Sequence, residues 1–94
     1  MRVLLVLGYY EGGGFTTVMN MLSKHLQYLN INVTIAARVV RINPPDHVRL
    51  IKLNPNELPK VAEEYDVVHI HQSYPYMRVA ANLRPTNIIF TSHG

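Results

Sequence analysis

The sequence predicts an α/β protein with a Rossmann-like parallel sheet and flanking helices. Residues 3–7 are a continuous apolar run closed by Gly8, which is typical of a strand buried on both faces of a parallel sheet. Strand-like and helical segments then alternate along the chain, and a glycine-rich stretch joins the first strand to the first helix. Since right-handed crossovers place neighbours on both sides of the first strand, we expect the strand order 3-2-1-4-5.

The first helix is predicted over residues 15–30. Apolar residues recur there at steps of three and four: Val18, Leu22, Leu26 and Leu29. Met19 and Met21 are interpreted as core filling, because methionine adapts to irregular gaps. Asn30 is expected to end the helix, since asparagine tolerates the left-handed conformation.

The remaining elements follow in order. Residues 31–37 and 48–53 are predicted as the second and third strands, with the third nearer an edge. Asn54 can cap a short helix that runs to about Tyr65, with Pro55 in its first turn. Residues 66–72 form the fourth strand, residues 76–84 lie in a loop or a helix, and residues 87–94 form the fifth strand.

Composition limits the possible functions. Ninety-four residues are enough for one small domain. Hydrophobic residues make up 48% of the chain and charged residues 16%, a composition that argues against disorder. The same composition suggests that some apolar surface needs a partner. The net charge of +3 comes from scattered basic residues, so we expect no nucleic-acid partner. The chain has no cysteine, and its apolar N-terminus is too short to span a membrane. We expect a cytoplasmic location, either free or peripheral to the membrane.

The glycine stretch is the first candidate for a binding site. Gly12, Gly13 and Gly14 stand between a strand and a helix, where backbone N–H groups and the helix dipole favour an anion. The spacing matches neither a Walker loop nor the dinucleotide fingerprint, and Arg38 stands where an NAD site has an acidic residue. The alternative interpretation is a turn that only reverses the chain.

Three histidines are the second candidate. His69 and His71 are two apart on a predicted strand and therefore point to one face, and His93 ends the next strand. His71 and His93 can face the same crevice as the glycines, although His71 can also cap the following segment and His93 can be a frayed terminal residue. His69 is interpreted as a core histidine. A zinc site of all three is disfavoured by their geometry, so we expect no metal.

Tyrosines in the predicted strand-end loops can stack on a sugar or a base, although tyrosine is also ordinary in loops. These residues are Tyr9, Tyr10, Tyr74 and Tyr76.

The chain resembles the N-terminal domain of glycosyltransferase family 4, whose members are retaining enzymes of GT-B fold. The resemblance extends over essentially all 94 residues. Two glycines followed by "FTTVMNMLSKHLQYLNINVTIAA" look like the family's Gly-Gly helix and second strand; "YDVVHIHQS" and "IIFTSHG" look like two of its later strand motifs.

The resemblance implies a sugar transfer from a nucleotide-sugar donor to a sugar or lipid-linked acceptor, with no obligatory metal or other cofactor. It implies that Gly13 and Gly14, with Phe15 beside them, lie against the donor diphosphate or the acceptor. His93 would face the transferred sugar as the catalytic residue, and His71 would form the wall of the cleft.

The family's C-terminal donor-binding domain does not occur in these residues, so we expect residues 1–94 to be one incomplete half-domain, inactive alone and prone to self-association. Whether the chain counts as an enzyme by itself therefore stays open. A stand-alone, non-enzymatic α/β module that binds itself or a partner is the alternative. An anion-binding Rossmann-like protein of unrelated chemistry is a third interpretation.

Overall fold

The computed structural model describes residues 1–71, 73–81 and 88–91, and these form an α/β fold with a five-stranded parallel sheet. The strand order is β3-β2-β1-β4-β5, so the predicted order and the central first strand are confirmed. The elements are β1 (Arg2–Tyr10), α1 (Gly14–Tyr28), β2 (Asn32–Val40), β3 (Leu50–Lys52), a 3-10 turn (Pro55–Glu57), α2 (Leu58–Ala62), β4 (Val67–His71), α3 (Tyr74–Ala81) and β5 (Ile88–Thr91).

The central strand β1 begins one residue before the predicted strand and ends three residues after it, at Tyr10. It pairs with β2 from Arg2 and Asn32 to Tyr10 and Val40. Because β2 itself continues to Val40, Tyr9 and Tyr10 have partners beyond the apolar run, and the strand does not stop at Gly8. On its other side β1 pairs with β4 over a shorter stretch.

The sheet has a hydrophobic cluster on each face, as expected for a buried parallel sheet. On one face Leu4, Val6 and Val68 pack with residues from α2 and α3. On the other face Leu5 and Ile35 pack with residues from α1. The direction of each crossover explains this division, because right-handed connections that run in opposite directions along a sheet place their helices on opposite faces.

Helix α1 buries only part of the predicted apolar stripe. Its buried residues are Thr16, Met19 and Ser23, whereas Val18 and Met21 are exposed. The prediction for Met19 is confirmed, and that for Met21 as core filling is wrong. Leu22 and Leu26 of the predicted stripe are partly buried and pack against the cluster on this face of the sheet.

The end of α1 follows the prediction. The helix stops at Tyr28, and Asn30 has the left-handed φ of 63° that ends it. Backbone N–H groups of Asn30 and Ile31 donate to the carbonyl oxygens of Gln27 and Leu26, at 2.9 and 3.0 Å, so the last turn is closed by hydrogen bonds.

The second half of the chain is less regular than predicted. The helix expected over residues 54–65 is the 3-10 turn followed by the five-residue α2, with Pro55 in the turn and Pro59 in α2. The edge strand β3 has only three residues. Residues 76–84, which the sequence assigns to a loop or a helix, begin within α3; residues 82–84 lie outside the described part. Part of the fifth predicted strand, including His93, also lies outside it.

One area of the sheet has no helix over it within the described residues. The crossovers to β4 and β5 put α2 and α3 on the face opposite α1, and α1 lies over β1 and β2. The α1 side of β4 and β5 therefore remains open, and Ile89 of β5, which pairs with His69, is 51% exposed there.

Candidate functional site

A cleft opens at the carboxyl ends of β1 and β4. These strands are neighbours, but the chain leaves β1 towards one face of the sheet and β4 towards the other, which makes this the topological switch point. The cleft has a volume of about 420 Å³. The chain after β1 forms one wall of the cleft, and the chain after β4 forms the other. The residues that line the cleft are Leu7, Gly8, Tyr9, Glu11, Gly12, Gly13, Gly14, Phe15, Thr16, His71, Ser73 and Pro75.

The glycine loop forms the floor of this cleft. Gly13 has φ 139° and ψ 177°, a conformation that essentially only glycine adopts, and α1 begins directly after it. A Cβ added at Gly12, Gly13 or Gly14 would meet no atom within 4 Å, so the main chain is open to the cleft. The glycines therefore leave their main chain accessible from the cleft, and of these three only Gly13 requires glycine for its backbone conformation.

The start of α1 favours an anion. The first intrahelical hydrogen bond runs from the Thr17 N–H to the Gly13 carbonyl oxygen at 3.2 Å, so the amides of the preceding turn have no acceptor within the helix. The first turn contains no acidic residue and no side-chain cap. The positive end of the helix dipole is thus directed into the cleft without a carboxylate of its own to neutralise it.

Hydrogen bonds hold the loop in this shape. The Glu11 N–H donates to Thr16 Oγ1 at 3.2 Å, which joins the two ends of the glycine stretch. The Thr17 hydroxyl donates to the Gly13 carbonyl oxygen at 3.0 Å. Thr16 is 4% exposed, so the side chain that accepts the Glu11 N–H is buried beneath the loop. Sequence reasoning missed its role, although a hydroxyl in the first turn of a helix after glycines is a usable signal.

An ion pair lies at the rim of the cleft. Arg41 Nη1 is 2.8 Å from Glu11 Oε2, and the guanidinium lies 5.2 Å from the centre of the Tyr9 ring. Arg41 immediately follows β2, which brings it beside the end of β1. Glu11 is the only carboxylate among the described lining residues, and its negative charge would repel an anion. The positive charge of Arg41 neutralises it.

The two walls of the cleft meet where Phe15 contacts His71. Their ring centroids are 6.1 Å apart, and the edge of one ring faces the other at an interplanar angle of 75°. His71 is 5% exposed and lines the cleft, as predicted from its place at the strand end. Ser73, which follows on the same wall, is also buried and had not been singled out from the sequence; its Oγ lies 3.4 Å from the position of a Cβ at Gly8.

His69 and His71 point to the same face of β4, which confirms that part of the prediction. Their ring centroids lie 3.8 Å apart with the planes tilted by 40°. Burial lowers the pKa of His69. His93, predicted as the catalytic residue, lies outside the described residues. Among residues 1–71, 73–81 and 88–91, no group of three or more His, Cys, Asp or Glu side chains could hold a metal ion.

Two of the four tyrosines cannot stack on a ligand. Tyr10 and Tyr76 are fully buried, and their hydroxyls donate to Asn20 Oδ1 and to the Leu53 carbonyl oxygen. Tyr9 is half exposed and lines the cleft, as the sequence suggested. The side chain of Tyr74 lies outside the described part.

Comparison of the chain with protein-family profiles, with curated proteins and with solved structures gives no match. The resemblance to glycosyltransferase family 4 therefore stays a prediction. Within the described residues, none of the helices has both the length and the apolar character that crossing a membrane requires.

Proposed function

We propose that the chain is the N-terminal part of a retaining glycosyltransferase that transfers a sugar from a nucleotide-sugar donor to an acceptor. The supporting observation is the place of the glycine loop, at the switch point of a 3-2-1-4-5 parallel sheet and at the start of a helix. Ligands of open α/β sheets bind in this crevice, and the first helix after β1 commonly faces their phosphates.

Each wall of the cleft then has a role in this proposal. The backbone of Gly13, Gly14 and Phe15 lies against the donor diphosphate or the acceptor. His71 forms the opposite wall. The resemblance assigns contact with the transferred sugar to His93, which lies outside the described residues. When the sugar leaves the donor, negative charge grows on the diphosphate, and the dipole of α1 stabilises that charge. Because the second domain of such an enzyme encloses the donor, residues 1–94 alone are expected to be inactive.

A titration of the labelled chain with uridine diphosphate and guanosine diphosphate tests the proposal. Amide NMR signals of residues 12–16 should shift, with dissociation constants in the range of about a millimolar, because a single exposed helix terminus contributes only about 0.3 to 1 kcal/mol. Gly14→Val should abolish the shifts while the rest of the spectrum shows an intact fold. Val18→Ala, one turn further along α1, is the control that should bind normally. Shifts confined to other regions would contradict the proposal.

A second candidate function is a stand-alone module that associates with itself. It is favoured by large apolar residues that are exposed on α1 and directly after it: Val18, Met21, Tyr28 and Leu29. Ile89 adds apolar surface on the open side of the sheet. Exposed apolar surface is typical of interaction sites where it forms a large patch.

Sedimentation velocity tests this second candidate. Wild-type chain at high micromolar concentration should sediment as a dimer or larger species, and the double substitution V18K/M21K should produce a monomer. Lys24→Ala, an exposed change on the same helix that removes no apolar surface, is the matched control. A wild-type monomer at that concentration would exclude self-association as the function.

A further inference from the structure

One face of the sheet leaves room for a single additional helix. Helix α1 lies over β1 and β2, and within the described residues no helix lies over β4 and β5 on the same face. Two neighbouring strands are together about 10 Å wide, which is the diameter of one helix with its side chains. We call this space the β4–β5 groove; its floor includes Ile89, which is half exposed.

The connections between the strands leave the β4–β5 groove unfilled. The right-handed connection from β1 to β2 places α1 on one face of the sheet. The connections that run the opposite way, to β4 and β5, place α2 and α3 on the other face. A helix in the groove therefore has to come from outside the connections of this five-stranded sheet.

Helix α1 presents apolar side chains in two directions. Val18 and Leu22 line a cavity of about 360 Å³ between α1 and β4, so they point towards the groove. Met21 follows the buried Met19 by two residues, which is about 200° around the helix, so Met21 points away from the sheet. Tyr28 lies two turns after Met21 on the same outward side, and both are exposed. One helix in the groove would cover the first direction and leave the second open.

We propose that a second copy of this chain fills the β4–β5 groove with its own α1, and that its groove receives the α1 of the first copy. The two α1 helices then lie side by side in one layer between two sheets. Each α1 packs on β1 and β2 of its own sheet, and its outward side packs on β4 and β5 of the other. One symmetric contact thus covers both apolar directions of α1. The inference rests on the second candidate function, self-association, and assigns the surface that carries it.

The symmetry of this dimer determines which residues meet. Its two-fold axis runs along the strands between the two helices, because an axis in another direction would superimpose the two helices or the two sheets. The helices are therefore parallel, and Val18 and Leu22 face the same residues of the second copy. Met21 lies at the height of His69, with which Val18 and Leu22 share a cavity, and Ile89 pairs with His69. Since the rotation leaves this height unchanged, Met21 faces Ile89 of the second copy.

The exposed apolar surface is of the size that a stable dimer needs. Of the ten large hydrophobic side chains that are exposed in the described part of the chain, six lie on α1, directly after it or on β5. They expose an area of the same order as the roughly 800 Å² that each partner buries in a standard interface. These six residues are Phe15, Val18, Met21, Tyr28, Leu29 and Ile89.

The charges of α1 are compatible with this contact. The helix contains Lys24 and His25 and no acidic residue. Lys24 follows Leu22 by two residues, so it points away from the other helix, and the two lysines lie on opposite sides of the helix pair. His25 lies beside Met21 and Tyr28 on the outward side, and an imidazole has an apolar body that can be buried in an interface.

Single cysteines test the parallel packing, because the chain has no cysteine of its own. Val18→Cys should form a disulfide between two copies under mild oxidation, since helices packed about 8 to 10 Å apart bring residues beside the axis within disulfide reach. Lys24→Cys, an exposed position on the other side of the same helix, is the matched control and should not cross-link.

A charge exchange tests the contact between Met21 and Ile89. M21K and I89E should each dimerise at least about tenfold more weakly than wild type in sedimentation velocity. An equimolar mixture of the two variants should recover the dimer, because the heterodimer joins the introduced charges of opposite sign and keeps one Met21–Ile89 contact. A mixture of M21E with I89E is the control and should stay monomeric. Both positions are exposed, and circular dichroism checks that each variant is folded.

The possible failures are distinguishable. A wild-type monomer at high micromolar concentration would overturn this proposal together with self-association. A wild-type dimer that M21K and I89E leave intact, or that Lys24→Cys cross-links in place of Val18→Cys, would overturn the arrangement and leave self-association standing. A monomer whose Ile89 amide signal shifts when an amphipathic helical peptide is added would assign the groove to a different occupant and would also overturn the proposal.

Discussion

The hydroxyl of Tyr10 donates a hydrogen bond to Asn20 Oδ1 at 2.7 Å. Tyr10 ends β1, Asn20 lies in the middle of α1, and the glycine loop runs between them. This bond therefore joins the two elements on either side of the loop and fixes the distance that the loop must span.

Tyr10→Phe should remove this bond and lower the free energy of unfolding by about 1 kcal/mol, the usual net value of such a bond. Tyr28→Phe is the control, because Tyr28 is 87% exposed and should tolerate the change. Urea denaturation of both variants measures the difference. Equal stability of the two variants would show that the bond to Asn20 does not hold the loop.

Gly13 and Gly14 should respond differently to alanine. Gly13→Ala forces a side chain into a conformation that glycine alone adopts, which should cost about 1 to 3 kcal/mol of folding free energy. Gly14→Ala has open space for the Cβ and no positive φ, so its stability should stay within about 0.5 kcal/mol of wild type. Thermal denaturation compares the two. A Gly13→Ala variant as stable as Gly14→Ala would mean that the loop relaxes without cost.

Thr34 should be replaceable by valine without loss. Its hydroxyl is buried in β2 and has no hydrogen-bond partner among the described residues. Thr34→Val should leave stability unchanged or raise it by about 1 kcal/mol, because an unsatisfied polar group is removed.

Thr16→Val is the matched control for that substitution. The Thr16 hydroxyl is equally buried but accepts the Glu11 N–H, so valine there should cost about 1 to 2 kcal/mol. Chemical denaturation of both variants gives the comparison. A loss of stability in Thr34→Val as large as in Thr16→Val would indicate that the Thr34 hydroxyl has a partner after all.

Tyr76 should make the fold sensitive to alkaline pH. Burial raises the pKa of the Tyr76 phenol to about 12, the Glu57 carboxylate adds to the rise, and Arg38 opposes it. A raised pKa means that the folded state holds this proton more tightly than the unfolded state. The resulting stability is complete below pH 10, the ordinary value, and is lost between pH 10 and about 12.

Tyr76→Phe should remove this alkaline loss and cost about 1 kcal/mol at neutral pH, since the Leu53 carbonyl oxygen loses its donor. Denaturant midpoints of both proteins at pH 7, 9 and 11 provide the test. If the difference between the two proteins is the same at all three values, the phenol does not titrate in the folded state as described.

Arg41 should matter more for ligand binding than for stability. Its pair with Glu11 is largely exposed, so Arg41→Ala should change the free energy of unfolding by less than about 1 kcal/mol. Affinity for uridine diphosphate should fall about two- to five-fold, because the Glu11 charge then faces the cleft. The double variant E11Q/R41A should recover wild-type affinity. Failure to recover would mean that Arg41 acts on the ligand directly.

Much of the fold could be predicted from the sequence because its strongest signals are local. The apolar run of β1 and the left-handed Asn30 both identify elements without knowledge of the tertiary structure. The outward position of Met21 could not be predicted, since the buried side of α1 depends on small residues such as Ser23 that a hydrophobic pattern does not detect. The lengths of β1 and β2 are set by their mutual pairing, which no single segment contains.

The candidate site also has parts that the sequence predicts and parts that only the structure shows. The glycine loop was predictable because glycine has a specific backbone preference. The Arg41–Glu11 pair and the contact of Phe15 with His71 each join residues that are far apart in the chain, and only the crossovers of the sheet bring them together. The His69–His71 spacing predicted a shared face, whereas the 3.8 Å contact between the rings required the structure.

The pairing of β1 with β4 has a consequence for how the chain folds. The N–H of Arg2 donates to Asp66 Oδ2 at 2.6 Å across 64 residues of sequence, and the strand pairing beside it begins at Val3 and Val67. Strand β1 pairs with β2 at a separation of 30 residues, Arg2 with Asn32, so the β1–α1–β2 segment is expected to form before the longer loop to β4 closes. The two walls of the cleft are therefore expected to meet late in folding, so truncation of Val33 should slow refolding more than truncation of Val68, which should mainly speed unfolding.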